Sequence, residues 1–352
     1  MSIENGKAAF SLQMTDYVPR TEYSASAHWE LVKAVTGISV DAFSTPEQQG
    51  KASAEFIKAW DYAFNWNVRL YSTVFGEYQA SMGHAEYASS GVDYSSETFV
   101  AIKDEDEALE FDPIEAFGPV NLPEWIKNFE DDYNNNFNAC PSTLLTTGTY
   151  ITCVSGLIEL LGWDLLLTTA GVDPDGFGEL VNRYSDWMMP YFNALAESSV
   201  PYVMIHDDIV WTEGPFLHPD WYRRYVFPNY KKFFAPILEA GKKLIFTSDG
   251  NYTMFIDDIA AAGAQGFVLE PLTDLAYVTE HYGKTHIIVG NADTRFLLNG
   301  NKEEIYNEVK RCMDTAKHCP GFIMAVGNHI PSNTPVEAAL YYDEIYRKLS
   351  RR

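Results

Sequence analysis

The chain has 352 residues, 46% of them hydrophobic, and carries a formal charge of −24 from 49 acidic and 25 basic side chains. That balance excludes direct binding to nucleic acid or to an anionic membrane surface, since both need a basic footprint. No apolar run in the sequence approaches the roughly 18 residues of a membrane span. The opening MSIENGKAAF lacks the basic and then apolar regions of a secretory signal, so none is expected. Four cysteines (Cys140, Cys153, Cys312, Cys319) with no CxxC spacing fit small buried hydrophobes in a reduced, cytoplasmic protein.

In chain order, Trp29, Val32 and Val35 recur at helical spacing, and Thr45-Pro46 opens a second helix with Thr45 as its cap. Alternation over 67–73 predicts a strand. Residues 76–113 are polar and punctuated by Gly and Ser, which predicts a long insertion loop of lid type, with a strand near 99. From 122 onward the pattern becomes regular. Strands are predicted at 142–147, 201–206, 243–248, 266–270, 286–291 and 321–327. Helices are predicted at 124–136, 151–170, 178–197, 219–240, 252–262, 273–281 and 302–317, with a last one from Pro335. With the strands near 67 and 99 this makes about eight, the number for a closed parallel (β/α)8 barrel, or TIM barrel. The chain therefore reads as an α/β protein with an N-terminal helical extension over 1–65 and a barrel over 66–352.

Right-handed crossovers place the carboxyl ends of all strands on one rim. The polar residues expected there are Thr146, Thr147, His206, Asp207, Asp208, Ser248, Asp249, Asn251, Glu270, Asn291, Asp293, Asn328 and His329. Carboxylates, imidazoles and amides without an arginine cluster suit a divalent metal or acid/base chemistry and fit a polyanionic substrate poorly. Each also has a plainer reading: a rim Asp caps the next helix, His329 is a hydrogen-bonded core imidazole, and aromatics near the loops fill the core.

Several stretches, quoted as they stand, carry a resemblance: VPRTEYSASAHWELV (18–32), MGHAEYASSGVDYS (82–95), HDDI (206–209), GKKLIFTSDGN (241–251), VGNADTR (289–295) and AVGNHIPSNTP (325–335). With them the chain resembles the uroporphyrinogen decarboxylase-like superfamily, in its corrinoid-dependent methyltransferase branch. True decarboxylases of that superfamily bind a tetrapyrrole's propionates with an N-terminal arginine-rich motif; here Arg20 is the only arginine before Arg69. Thiol-specific relatives hold zinc with His-x-Cys and a later Cys. This chain has Thr247-Ser248-Asp249 and Asn328-His329 at those places, so the thiolates are missing.

The resemblance implies the first methyltransferase of an O-demethylase, which moves a methyl group from a phenyl methyl ether to a corrinoid protein. The corrinoid comes with a partner, since the chain lacks the Asp-x-His-x-x-Gly of a corrinoid-binding domain. On this reading zinc is held by Asp249, Glu270 and His329, whose oxygen and nitrogen donors leave it a stronger Lewis acid than a thiolate site would. His206, Asp207, Asp208 and His84 of the insertion are the candidates for proton transfer. Asn291, Asp293, Tyr150, Trp211 and Asn328 are the candidates for holding the substrate. A decarboxylase, or a methyltransferase for another methylated small molecule, is the alternative. Whether two copies pair as a homodimer is left open.

Overall fold

The computed structural model describes residues 2–81, 85–88, 91–94 and 99–352. Its strands in chain order are β1 (Phe64–Asn65), β2 (Ala85–Ala88), β3 (Gly91–Tyr94), β4 (Leu144–Leu145), β5 (Thr147–Thr149), β6 (Tyr202–His206), β7 (Lys243–Thr247), β8 (Gly266–Val268), β9 (Ile287–Val289) and β10 (Phe322–Ile323). Six of them form one parallel sheet in the order β10-β9-β8-β7-β6-β5. β1 pairs in parallel with β4, which runs on through Thr146 into β5.

The remaining gap is spanned by the backbone around Arg20. The N–H of Thr21 donates to Met324 and that of Met324 to Pro19, while Ala63 donates to Arg20 on the other side. Hydrogen bonds thus link eight parallel segments into a ring, the TIM-barrel arrangement, closed by single bridges rather than long ladders. Of the strand expected at 67–73, only a single parallel bridge from Leu70 to Thr149 is formed, before the chain enters a short 3-10 stretch (Ser72–Tyr78). The one expected near 99 stands apart from the ring, with Phe99 bridging antiparallel to Ser81. Residues 1–65, set apart in the sequence as a helical extension, hold three helices (Ser2–Phe10, Trp29–Thr36, Pro46–Ala59) and also two segments of the ring. In the insertion, β2 and β3 form an antiparallel hairpin.

A charged side chain in a barrel segment needs compensation. Arg20 is fully buried, donates to Glu22 (2.9 Å) and to Asp343, and lies over the rings of Trp60 (4.3 Å) and Tyr346 (4.5 Å). The rest of the ring is apolar and alternates in direction. Met204, Ile245, Ile287, Val289 and Ile323 pack with Phe64 and Leu144 inside the barrel. Val203, Ile205, Leu244, Phe246, Ile288 and Phe322 belong to the larger core under the surrounding helices. Each such side chain contributes about 1.5–3 kcal/mol on leaving water.

The first helix closes the amino end of the barrel. Phe10 packs edge-on against Phe64 (5.5 Å) and Tyr202 (4.9 Å). Gly6 lies so close to the Ala63 carbonyl that an added Cβ would come within 2.1 Å of it, which only glycine permits. The helix Val154–Val172 is long and apolar enough to cross a membrane, yet 67% of its apolar window is buried among the other helices. All four cysteines are unpaired and buried, as expected.

Candidate functional site

Strand parity builds the site. In β6, Met204 faces the barrel interior, so His206 does too, and two residues on Asp208 returns to the same side. Between them, Asp207 points outward into the helical layer. It accepts the backbone N–H groups of Cys153 (3.2 Å) and Ser155 (2.6 Å) and the hydroxyl of Tyr230, and so caps the helix Val154–Val172. Asp207, expected among the proton-transfer groups, is fully buried in this scaffold role. The same parity in β7 carries Ile245, Thr247 and then Asp249 to the interior, while Ser248 is buried on the other side and accepts the N–H of Ile209 (3.3 Å).

The ends of β6 and β7 are held together by backbone. The N–H of Asp249 donates to Asp208 Oδ1 (2.9 Å), and that of Asn251 to the Trp211 carbonyl (3.2 Å). Gly250, at φ +78°, makes this approach possible: a Cβ there would sit 2.3 Å from the Trp211 oxygen. The result is a cluster in which one ligand atom from each of His206, Asp208 and Asp249 lies within 4.8 Å of the others. His206 Nε2 is 3.2 Å from Asp208 Oδ1, and its Nδ1 is 3.2 Å from the Tyr150 carbonyl, with the Tyr150 ring stacked flat on the imidazole at 3.9 Å.

Opposing effects set the charges. Burial works against a charged His206, but Asp208 and, behind it, Asp249 outweigh that and push it up to about 9. Asp249 is reached by water through the mouth yet ringed by protein, and this confinement together with the charge of Asp208 raises it to about 6. Two carboxylates this close relieve their repulsion by taking up a proton or a cation.

Of the expected metal set, Asp249 is in this cluster, while Glu270 and His329 stand outside it. Glu270 follows β8 and accepts Asn328 Nδ2 at Oε1; Asn328 also takes the N–H of His329 (2.7 Å). Burial, then the charge of Asp249, raises Glu270 to about 8 against the pull of the Asn328 hydrogen bond. His329 packs edge-on against Tyr23 at 4.5 Å, and burial lowers its affinity for a proton.

Two cavities meet at Asn328 and His329. The first, of about 600 Å³ with its open mouth, is walled by Tyr23, Trp66, Val68, Tyr150, Met204 and Val268 and has His206, Thr247 and Asp249 on it. The second, of about 890 Å³, is lined by Glu270, Asp293, Arg295, Thr212, Asn333 and the apolar Pro271, Leu272, Leu298 and Pro331. Of the residues expected to hold the substrate, Tyr150, Asn328 and Asp293 line these cavities. Asn291 is a fully buried brace that donates to the carbonyls of Glu270 (3.2 Å) and Thr273 (3.0 Å). Trp211 lies on the rim against Trp163 and Phe216. His84 lies outside the described residues. Tyr23 and Trp66 were not among the expected site residues; Tyr23 lies three residues after the bridge at Arg20 and Trp66 directly follows β1, where the barrel opens.

The family model for uroporphyrinogen decarboxylase (URO-D) matches residues 155–348, more than half of the chain. The uroporphyrinogen decarboxylase of Syntrophotalea carbinolica is 30% identical over 175 residues, 49% of this chain and 49% of that protein. That of Carboxydothermus hydrogenoformans is 29% identical over 177 residues, 50% of this chain and 49% of its own length. The chain thus spans about half the length of these curated relatives. A solved methyltransferase from Methanosarcina mazei has the same fold, with a TM-score of 0.65 and 18% identity over 99% of this chain and 98% of that one.

Proposed function

We propose that this chain, which belongs to the uroporphyrinogen decarboxylase family, transfers a methyl group from an aryl methyl ether to the corrinoid of a separate protein. The observation that carries this reading is the cluster of one imidazole and two carboxylates beside an aromatic-walled cavity. Such donors suit a divalent cation such as zinc, with three protein ligands and an open position. When bound there, the cation supplies Lewis acidity toward an ether oxygen. His206 would give up its proton to serve as a ligand, which makes cation binding proton-linked.

The protein's own groups do the rest. Tyr23, Trp66 and Tyr150 pack against the aromatic ring and keep water from it. Glu270, protonated at neutral pH and held by Asn328, gives its proton to the departing phenolate oxygen as the carbon–oxygen bond breaks. The leaving group is where the barrier lies, because an unassisted phenolate departs slowly. The methyl acceptor is the reduced cobalt of the partner's corrinoid, brought to the open rim.

The names of the curated relatives favour a second reading, decarboxylation of a porphyrinogen. A substrate with many carboxylates, however, would meet at this mouth, among the described residues, only Arg295, already bonded to Asp293 (2.6 Å), and Arg20 is fully buried in a structural pairing with Glu22 and Asp343. Mixing the purified protein with a reduced corrinoid protein and 2-methoxyphenol decides between them. Growth of the methylcobalt absorbance is expected; its absence for every phenyl ether tried, with carbon dioxide released from a porphyrinogen, would overturn the proposal.

A further inference from the structure

We infer that the methyl donor is uncharged beyond its ether, and that the mouth excludes donors bearing a carboxylate. This rests on the methyl-transfer reading and names the donor class for the same site. Because the two cavities share Asn328 and His329, a donor whose methyl group sits near the His206 cluster extends its remaining atoms into the second cleft. The charges there are Asp293 and Arg295, with Asp249 on the first cavity's wall; Glu270 also lines the cleft but is protonated at neutral pH. Arg295 is the single Lys or Arg lining either cavity among the described residues, and its charge is already paired: its Nε donates to both Asp293 oxygens (3.0 and 2.9 Å) and its Nη2 to one of them (2.6 Å). The sequence of 82–98 contains no Lys or Arg to add another.

A carboxylate entering the cleft leaves water, finds no unpaired cationic side chain and comes between the carboxylates of Asp293 and Asp249, so desolvation and repulsion act in the same direction, while Glu270, protonated at neutral pH, adds no charge. An amide or hydroxyl of the same size has Thr212, Asn333 and Glu270 to bond with and apolar walls at Leu272 and Leu298 to pack on.

The test compares two ligands of equal shape, 4-hydroxy-3-methoxybenzamide and 4-hydroxy-3-methoxybenzoate, at neutral pH where the second is ionised. Binding to the purified protein is read by quenching of Trp66-dependent fluorescence, and methyl transfer by the cobalt spectrum. The amide is expected to bind at least about tenfold more tightly. In Asp293→Asn, which keeps a helix-capping side chain but releases Arg295, that gap is expected to close by about tenfold. Equal or tighter binding of the benzoate to the unaltered protein overturns the inference. If the amide binds preferentially but its methyl group never reaches cobalt, the charge selection stands and the methyl-transfer reading fails. If neither ligand binds, both fall.

Discussion

The two halves of the barrel mouth hold similar residues in opposite conditions. On the β8 to β10 side each carboxylate has a donor of its own: Glu270 has Asn328, and Asp293 has Arg295, which holds it below its usual range despite burial. On the β6 to β7 side Asp208 and Asp249 lie close together beside His206, and Asp249 is raised by burial and then by its neighbour's charge. What separates the two is that on the second side a pair of acids shares one imidazole, Asp208 taking the N–H of Asp249 and standing 3.2 Å from His206 Nε2. On the proposed reading the first half positions a proton and selects a ligand by charge, and the second is the half with something to gain from a cation.

The sharpest way to break that contrast is Asp249→Ala. Zinc affinity, measured by calorimetry on protein stripped with a chelator, is expected to fall by at least about 100-fold, and methyl transfer with it. Glu270→Gln should do the reverse: zinc affinity stays near that of the unaltered protein while the rate falls about 100-fold, the usual share of a general acid. Equal losses of zinc from both variants would erase the distinction between the halves. The pH profile sharpens it further. Since Glu270 is protonated below about 8, the rate should decline as pH rises through that value, and the Gln variant should lack this decline. Smaller still is the effect of Asp207→Asn. Next to Asp208 in sequence but outside the mouth, it should cost about 2 kcal/mol in thermal or denaturant unfolding through its lost capping bonds, with zinc affinity unchanged.

Much of the barrel was legible because, from residue 142 onward, short apolar runs alternate with amphipathic helices and end in polar residues. The amino-terminal part was not. Its two ring segments amount to Arg20 with its neighbours and 62–65, too short to alternate, and one carries a charge that only Glu22 and Asp343, the latter more than 300 residues away, make tolerable. The strands looked for at 67–73 and 99 filled the count for want of these. In the site, the residue types and their place at the strand ends were readable, but the side each faces was not used. Parity from Met204 separates Asp207 from Asp208, and parity from Ile245 picks out Asp249. Grouping His206 with the two acids, rather than Asp249 with Glu270 and His329, needs the lateral spacing of strands and loops, which no single stretch encodes.

The helix Ser2–Phe10 has a kinetic corollary. With Phe10 lodged between Phe64 and Tyr202, the described residues plug the far end of the barrel, so a ligand is expected to enter and leave by the same mouth. On the proposed methyl transfer, a small molecule would enter before a large partner settles over the opening, and the demethylated product would wait until that partner lifts off. Turnover is therefore expected to follow a compulsory order, with excess partner slowing it by trapping product inside.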